Sequence, residues 1–176
     1  MPRLFECVTQ TDSADYDPEF LFSKLSYAEW LTWPLEERIV IEQYLSALWQ
    51  QALAKYPMLE NLPSFADIEQ VLDSIVITGF HIAPLLAAWE AMDEEPANRH
   101  LVQFVTMFGA DFADGCTLDF GWWESSEQAA GVLRTWLLQT AVLNRVVENM
   151  NLVQIDGFEH LFEPALATLQ QEADTH

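Results

Sequence analysis

The stretch from Asp111 to Glu124 holds the sequence's densest collection of side chains able to meet another molecule. Asp111, Asp114, Asp119 and Glu124 supply carboxylates, and Trp122 and Trp123 supply adjacent indoles. Carboxylates take lysine or arginine through charge-assisted hydrogen bonds, and large aromatics are common anchors of protein interfaces. These six residues form the candidate protein-binding site. A hard cation would also accept oxygen ligands, but the alternating Asp positions and closing bidentate Glu of a helix-loop-helix calcium site are missing. Packing competes as an explanation: Trp122 or Trp123 can staple onto the following helix while the Asp residues cap turns.

Other chemistry is thinner. Asp156, His160 and Glu163 share a helical face at i, i+4 and i+7, yet no H-E-x-x-H or E-x-x-H pattern accompanies them, and no metal site is assigned. Cys116 is the one nucleophile worth naming. Its acidic neighbours raise a thiol pKa, whereas a reactive thiolate needs a positive setting. There is no G-x-S-x-G, phosphate-cradling loop or dinucleotide fingerprint. No catalytic residue or cofactor is therefore expected, and the enzyme reading ranks below a binding one.

Charge narrows the partner. Seven Lys+Arg stand against 28 Asp+Glu, a formal net charge of −21. That field repels phosphate backbones and anionic lipid, so neither nucleic acid nor a membrane is the expected partner. It speeds encounter with a basic protein. Solubility alone is the competing reason for such acidity. Between Lys55 and Arg99 no cation occurs, while Glu60, Asp67, Glu69, Asp73, Glu90, Asp93, Glu94 and Glu95 all do. These one-signed stretches would matter most if they merged into one acidic face.

The opening Met1-Pro2-Arg3-Leu4 leads to Glu6 and Asp12 without an apolar core, so no secretory leader is read there. Cys7 and Cys116 form no disulfide framework. A cytoplasmic location is the expectation.

The elements that must position these residues are helices. Residues 1–16 read as a polar arm, 17–172 as one helical domain, and 173–176 as a tail. Asp17-Pro18-Glu19 starts a helix with Phe20, Leu21 and Leu25 inward, and Ser26 to Glu29 has the spacing to cap another. From Pro34 to Lys55, Ile41, Tyr44, Leu45, Leu48, Ala52 and Leu53 hold a 3.6-residue period, with Trp49 widening the stripe. Ser64 and Asp67 have cap spacing before Ile68, Val71, Leu72, Ile75 and Val76, and Gly79 is placed as the stop. Ile75 to Thr78 has strand propensity but no alternating partner, so it is read as helical.

A short helix follows over 82–92, entered at Pro84, and the next opens at Asp93 to Pro96. Gly109 to Trp123 loses the period and reads as a long loop. Ser125 and Gln128 then cap a long helix to about Met150. A last helix after Asp156-Gly157 should kink or restart at Pro164 and fray beyond Gln170. Trp33 and Trp123 each precede a long helix, but the register of those two helices does not match.

The expected fold is all-α, a single-domain helical bundle or small α-solenoid-like stack of about six to eight helices. The expected function is a non-enzymatic acidic protein-binding module, in one version an inhibitor or immunity-type antidote covering a basic protein surface. The alternatives are a helical adaptor or assembly factor with an apolar groove, and a metal-assisted helical enzyme. Oligomeric state is left open.

Overall fold

The computed structural model describes residues 18–57, 62, 65–113, 126–152 and 159–175. The protein is all-α: eight α-helices and two 3-10 turns, with no strand among the described residues. Contacts gather into two compact units, Met1–His81 and Ile82–His176. The polar arm expected over 1–16 lies outside the described residues.

In the first unit, α1 (Pro18–Tyr27) starts where expected, with proline pre-setting φ in the first turn and Glu19 beside the positive end of the dipole. Its buried face is Pro18, Phe22 and Leu25, an i, i+4, i+7 stripe. Phe20, expected inward, is 55% exposed, and the Lys24 ammonium sits 3.8 Å from its ring centroid. Phe20 and Leu25 are five residues apart and so fall on different faces of a helix. Ser26 does not open a new helix. Its carbonyl accepts from the Glu29 N–H, Glu29 takes a left-handed φ of 49°, and a 3-10 turn follows at Trp30–Thr32. Trp30 is buried and its Nε1 donates to the Thr78 carbonyl at 2.6 Å.

The second helix, α2 (Leu35–Leu53), is capped by Pro34, whose carbonyl accepts from the Glu37 and Arg38 amides. Ile41, Leu45, Leu48, Trp49, Ala52 and Leu53 are buried, so the wide stripe read from periodicity is the one that packs. The third helix, α3 (Ile68–Val76), packs against both α1 and α2. Its N-cap is Asp67, three residues after the expected Ser64, which lies outside the described residues. Asp67 accepts from the Gln70 amide at 3.0 Å, and Gln70 Oε1 accepts from the Ala66 amide at 2.8 Å, a reciprocal arrangement like a capping box. Gly79, at φ +81°, ends this segment as expected. Ile75 and Val76 are helical and buried.

The second unit begins with α4 (Ala83–Ala91), which has Pro84 in its first turn, and continues with α5 (Glu95–Ala113). Trp89 is its aromatic centre: fully buried, stacked on Trp136 at 5.3 Å, and edge-on to Phe104 at 5.8 Å. Trp89 Nε1 donates to the Ala97 carbonyl, so its one polar atom is satisfied where water is excluded.

The single helix expected from about residue 126 to Met150 is two, α6 (Glu127–Leu137) and α7 (Thr140–Asn149). Extended backbone at Gln139 separates them. The reason is phase. Ala129, Leu133, Trp136 and Leu137 form the buried face of α6, and its continuation would fall on Thr140, Ala141 and Asn144, all exposed. The buried residues of α7 are instead Val142, Leu143 and Val146, so the break resets the face. The cap of α6 is Ser126, one residue later than expected, accepting from the Ala129 amide.

Helix α8 (Glu159–Thr175) runs through Pro164 as one element and packs mainly on α5, burying Ala165, Leu166 and Leu169. It stays helical beyond Gln170, where fraying was expected, and Arg134 pairs with Glu172 at 2.8 Å. Among the described residues, no helix is long and apolar enough to cross a membrane.

Candidate functional site

Of the six residues read from the sequence as a protein-binding site, Asp111 alone lies among the described residues. Helix α5 continues through Ala113, so Gly109 to Ala113 are helical and the expected loop cannot begin at Gly109. Asp111 lies near the end of that helix. Asp114, Asp119, Trp122, Trp123 and Glu124 lie outside the described residues, as do Cys116 and Asp156. Among the described residues, no group of three or more His, Cys, Asp or Glu could hold a metal ion.

The second unit builds a different site. Ala83, Leu86, Ala87 and Glu90 lie on one face of α4 at i, i+3, i+4 and i+7. Gln128, Gly131, Val132, Thr135 and Trp136 lie on one face of α6, with Glu127 and Gln139 alongside. Between the two faces is an open cleft of about 600 Å³. Its walls are mainly apolar, Glu90 and Glu127 are exposed, and no lining residue among those described is a cation.

Gly131 helps make the cleft. It lies inside a helix, where glycine is about 1 kcal/mol less favourable than alanine. A Cβ added there would meet nothing within 4 Å among the described residues. No close contact therefore demands a glycine, and its missing side chain leaves the cleft open. Trp136 forms another part of the wall, 5% exposed, and its Nε1 has no hydrogen-bond partner among the described residues. Thr135 Oγ1 donates to the Gly131 carbonyl at 2.8 Å.

One end of α4 is fixed by Arg145, from α7. Its guanidinium donates to the carbonyls of Trp89 at 2.8 Å, Glu90 at 3.3 Å and Met92, and to Asn98 Oδ1. Helix C-termini leave carbonyls without intrahelical partners and carry partial negative charge, so a fixed cation there satisfies both needs. Burial pushes the Arg145 pKa down, against the opposing pull of Asp93, Glu90 and Glu94. Around this inward-held cation, Glu90, Asp93, Glu94 and Glu95 are all exposed. Arg99 is paired to Glu95 at 2.8 Å. Comparison of the chain with protein-family models, with curated proteins and with solved structures finds no match.

The first unit holds a separate anomaly. Glu69 is buried at 7% exposure and its Oε1 has no hydrogen-bond partner among the described residues. Burial first, then the charges of Asp73, Asp67 and Glu19, push its pKa up to about 9. It is a neutral carboxylic acid at pH 7.

Sequence reasoning placed Glu90 in an acidic series, but did not join it to Glu127, Gly131 and Trp136. The signal available was the glycine within a strong helical period, together with Ala83 and Ala87 one turn apart.

Proposed function

We propose that the chain is an acidic binding module whose partner is a cation-rich protein surface. The acidic corner where α4 meets α5 carries the reading. Glu90, Asp93, Glu94 and Glu95 face solvent; Arg145 donates to backbone carbonyls with its Nε 3.9 Å from Asp93 Oδ1, and Arg99 is engaged by Glu95, so two cations stand against four carboxylates. Carboxylates arranged this way steer a basic partner and set its approach, with a strong dependence on ionic strength. An inhibitor or immunity-type antidote lying over a basic cleft is the concrete version, with carboxylates standing where phosphates would bind.

Anisotropy titrations with a labelled oligolysine peptide, at low and at physiological salt, test this. Binding should weaken steeply with salt, and Asp93→Asn with Glu94→Gln should weaken it more than Glu36→Gln with Glu42→Gln on α2. Binding that ignores salt, or equal losses from both pairs, would remove the assignment.

A second reading has its own observation. In the first unit Phe20, Tyr27, Leu31, Leu35, Ile39 and Val40 are exposed apolar side chains, and exposed apolar area of this kind supports an adaptor or self-associating protein. Concentration-dependent self-association in sizing experiments, lost in Leu35→Ser with Val40→Ser, would favour it.

A further inference from the structure

We infer that the α4–α6 cleft receives an apolar side chain from a basic protein segment, whose neighbouring Lys or Arg residues meet Glu90 and Glu127. This rests on the basic-partner reading and makes it specific to one site.

Three observations converge on that occupant. The first is shape: a cleft of about 600 Å³ with Leu86, Val132 and Trp136 in its walls has room for a large aliphatic or aromatic side chain. The second is charge: the ionisable residues among the described lining, Glu90 and Glu127, are both acidic and exposed, with Arg145 held on the Glu90 carbonyl and attracting its carboxylate. An anionic ligand would be repelled. A purely apolar one would strip water from two carboxylates without replacing its hydrogen bonds. A small hydrophilic cation would leave the apolar wall uncovered. An apolar residue flanked by cations satisfies wall and rim together, as buried anchors inside polar rims do at protein interfaces.

The third observation is Gly131. Glycine is the least favourable helix-interior residue after proline. Here no neighbour among the described residues lies close enough to require it. Any larger residue would project into the space the partner's side chain needs. Gln128 and Gln139, also in the lining, carry amides able to hydrogen-bond an incoming backbone.

The test uses the full chain and two labelled peptides of equal charge, one of lysine with glycine spacers and one with leucine in place of the spacers. The leucine peptide should bind at least about tenfold tighter, the gain expected when one such side chain is buried. Gly131→Leu should erase that difference with undiminished thermal stability, and Gly131→Met serves the same purpose if the leucine variant melts early. Glu90→Gln with Glu127→Gln should weaken both peptides and flatten their salt dependence. Equal binding of the two peptides, or a leucine preference that survives both Gly131 substitutions, overturns the cleft while leaving the basic-partner reading intact. Failure of both peptides to bind at low salt overturns the reading and the inference together.

Discussion

Arg145 Nε donates to Oδ1 of Asn98 across 47 residues of chain, joining α7 to the first turns of α5. Asn98 is itself buried, and its amide donates to Asp93 Oδ1 at 3.2 Å. With the carbonyls of Trp89, Glu90 and Met92 also converging on the guanidinium, one side chain holds together the α4–α5 corner that carries the exposed carboxylates.

Arg145→Ala should therefore destabilise the protein by about 3 kcal/mol, since charged hydrogen bonds are lost and several acceptors are left without a donor. Arg145→Lys should recover only part of this, because an ammonium lacks the planar fork that reaches several acceptors at once. Arg99→Ala is the comparison: its exposed i, i+4 pair with Glu95 should be worth less than about 0.5 kcal/mol. Urea denaturation of the three variants measures the series. Equal midpoints for Arg145→Ala and Arg99→Ala would show that Arg145 is not structural.

Glu69 makes stability depend on pH in an unusual direction. Its carboxyl has a pKa of about 9 in the folded protein, against the ordinary value of 4.5 when exposed. Between those values the folded state holds a proton that the unfolded state has released. Stability should fall as pH rises across this window, by up to about 1.4 kcal/mol per unit from this group alone. Glu69→Gln, neutral at every pH, should lose that part of the slope and be the more stable protein at pH 8. Parallel stability curves for the two proteins from pH 5 to 8 would show that Glu69 is ionised in the fold.

Periodicity made the helices legible because burial is decided by faces, and α2 and α3 bury the residues that their spacing nominates, except that Tyr44 is half-buried. Local rules did less well wherever two patterns competed. Ser125 and Ser126 both offer a cap to the same helix, and only the packed position of α6 selects the second. The break at Gln139 has no proline or glycine to mark it. It shows in the sequence only as a change in the phase of the apolar stripe. The cleft was harder still to read, because it depends on which face of α4 meets which face of α6. An acidic corner, by contrast, follows from four carboxylates within six residues, Glu90 to Glu95, once the helix ends are known.

Gly131→Ala should stabilise the protein by about 0.5–1 kcal/mol. A methyl group there meets open space, and alanine both favours the helix and restricts the unfolded chain. Thermal melting should show a midpoint raised by a few degrees. A lowered midpoint would mean that this position is more crowded than its surroundings indicate.

Trp136 separates packing from hydrogen bonding. Its ring stacks on Trp89 at 5.3 Å, yet its Nε1–H is buried without an acceptor among the described residues. A buried donor in that state loses its water without compensation, at a cost of about 1–3 kcal/mol. Trp136→Phe keeps an aromatic face and removes the donor, so the lost area and the relieved penalty oppose each other. Its net effect should lie within about 1 kcal/mol of zero. Trp136→Ala loses the ring altogether and should cost about 3–5 kcal/mol. Chemical denaturation of both variants reads the difference. If Trp136→Phe proved as damaging as Trp136→Ala, the indole nitrogen would have to be making an essential contact, and the unpartnered donor in the cleft wall would be the wrong description.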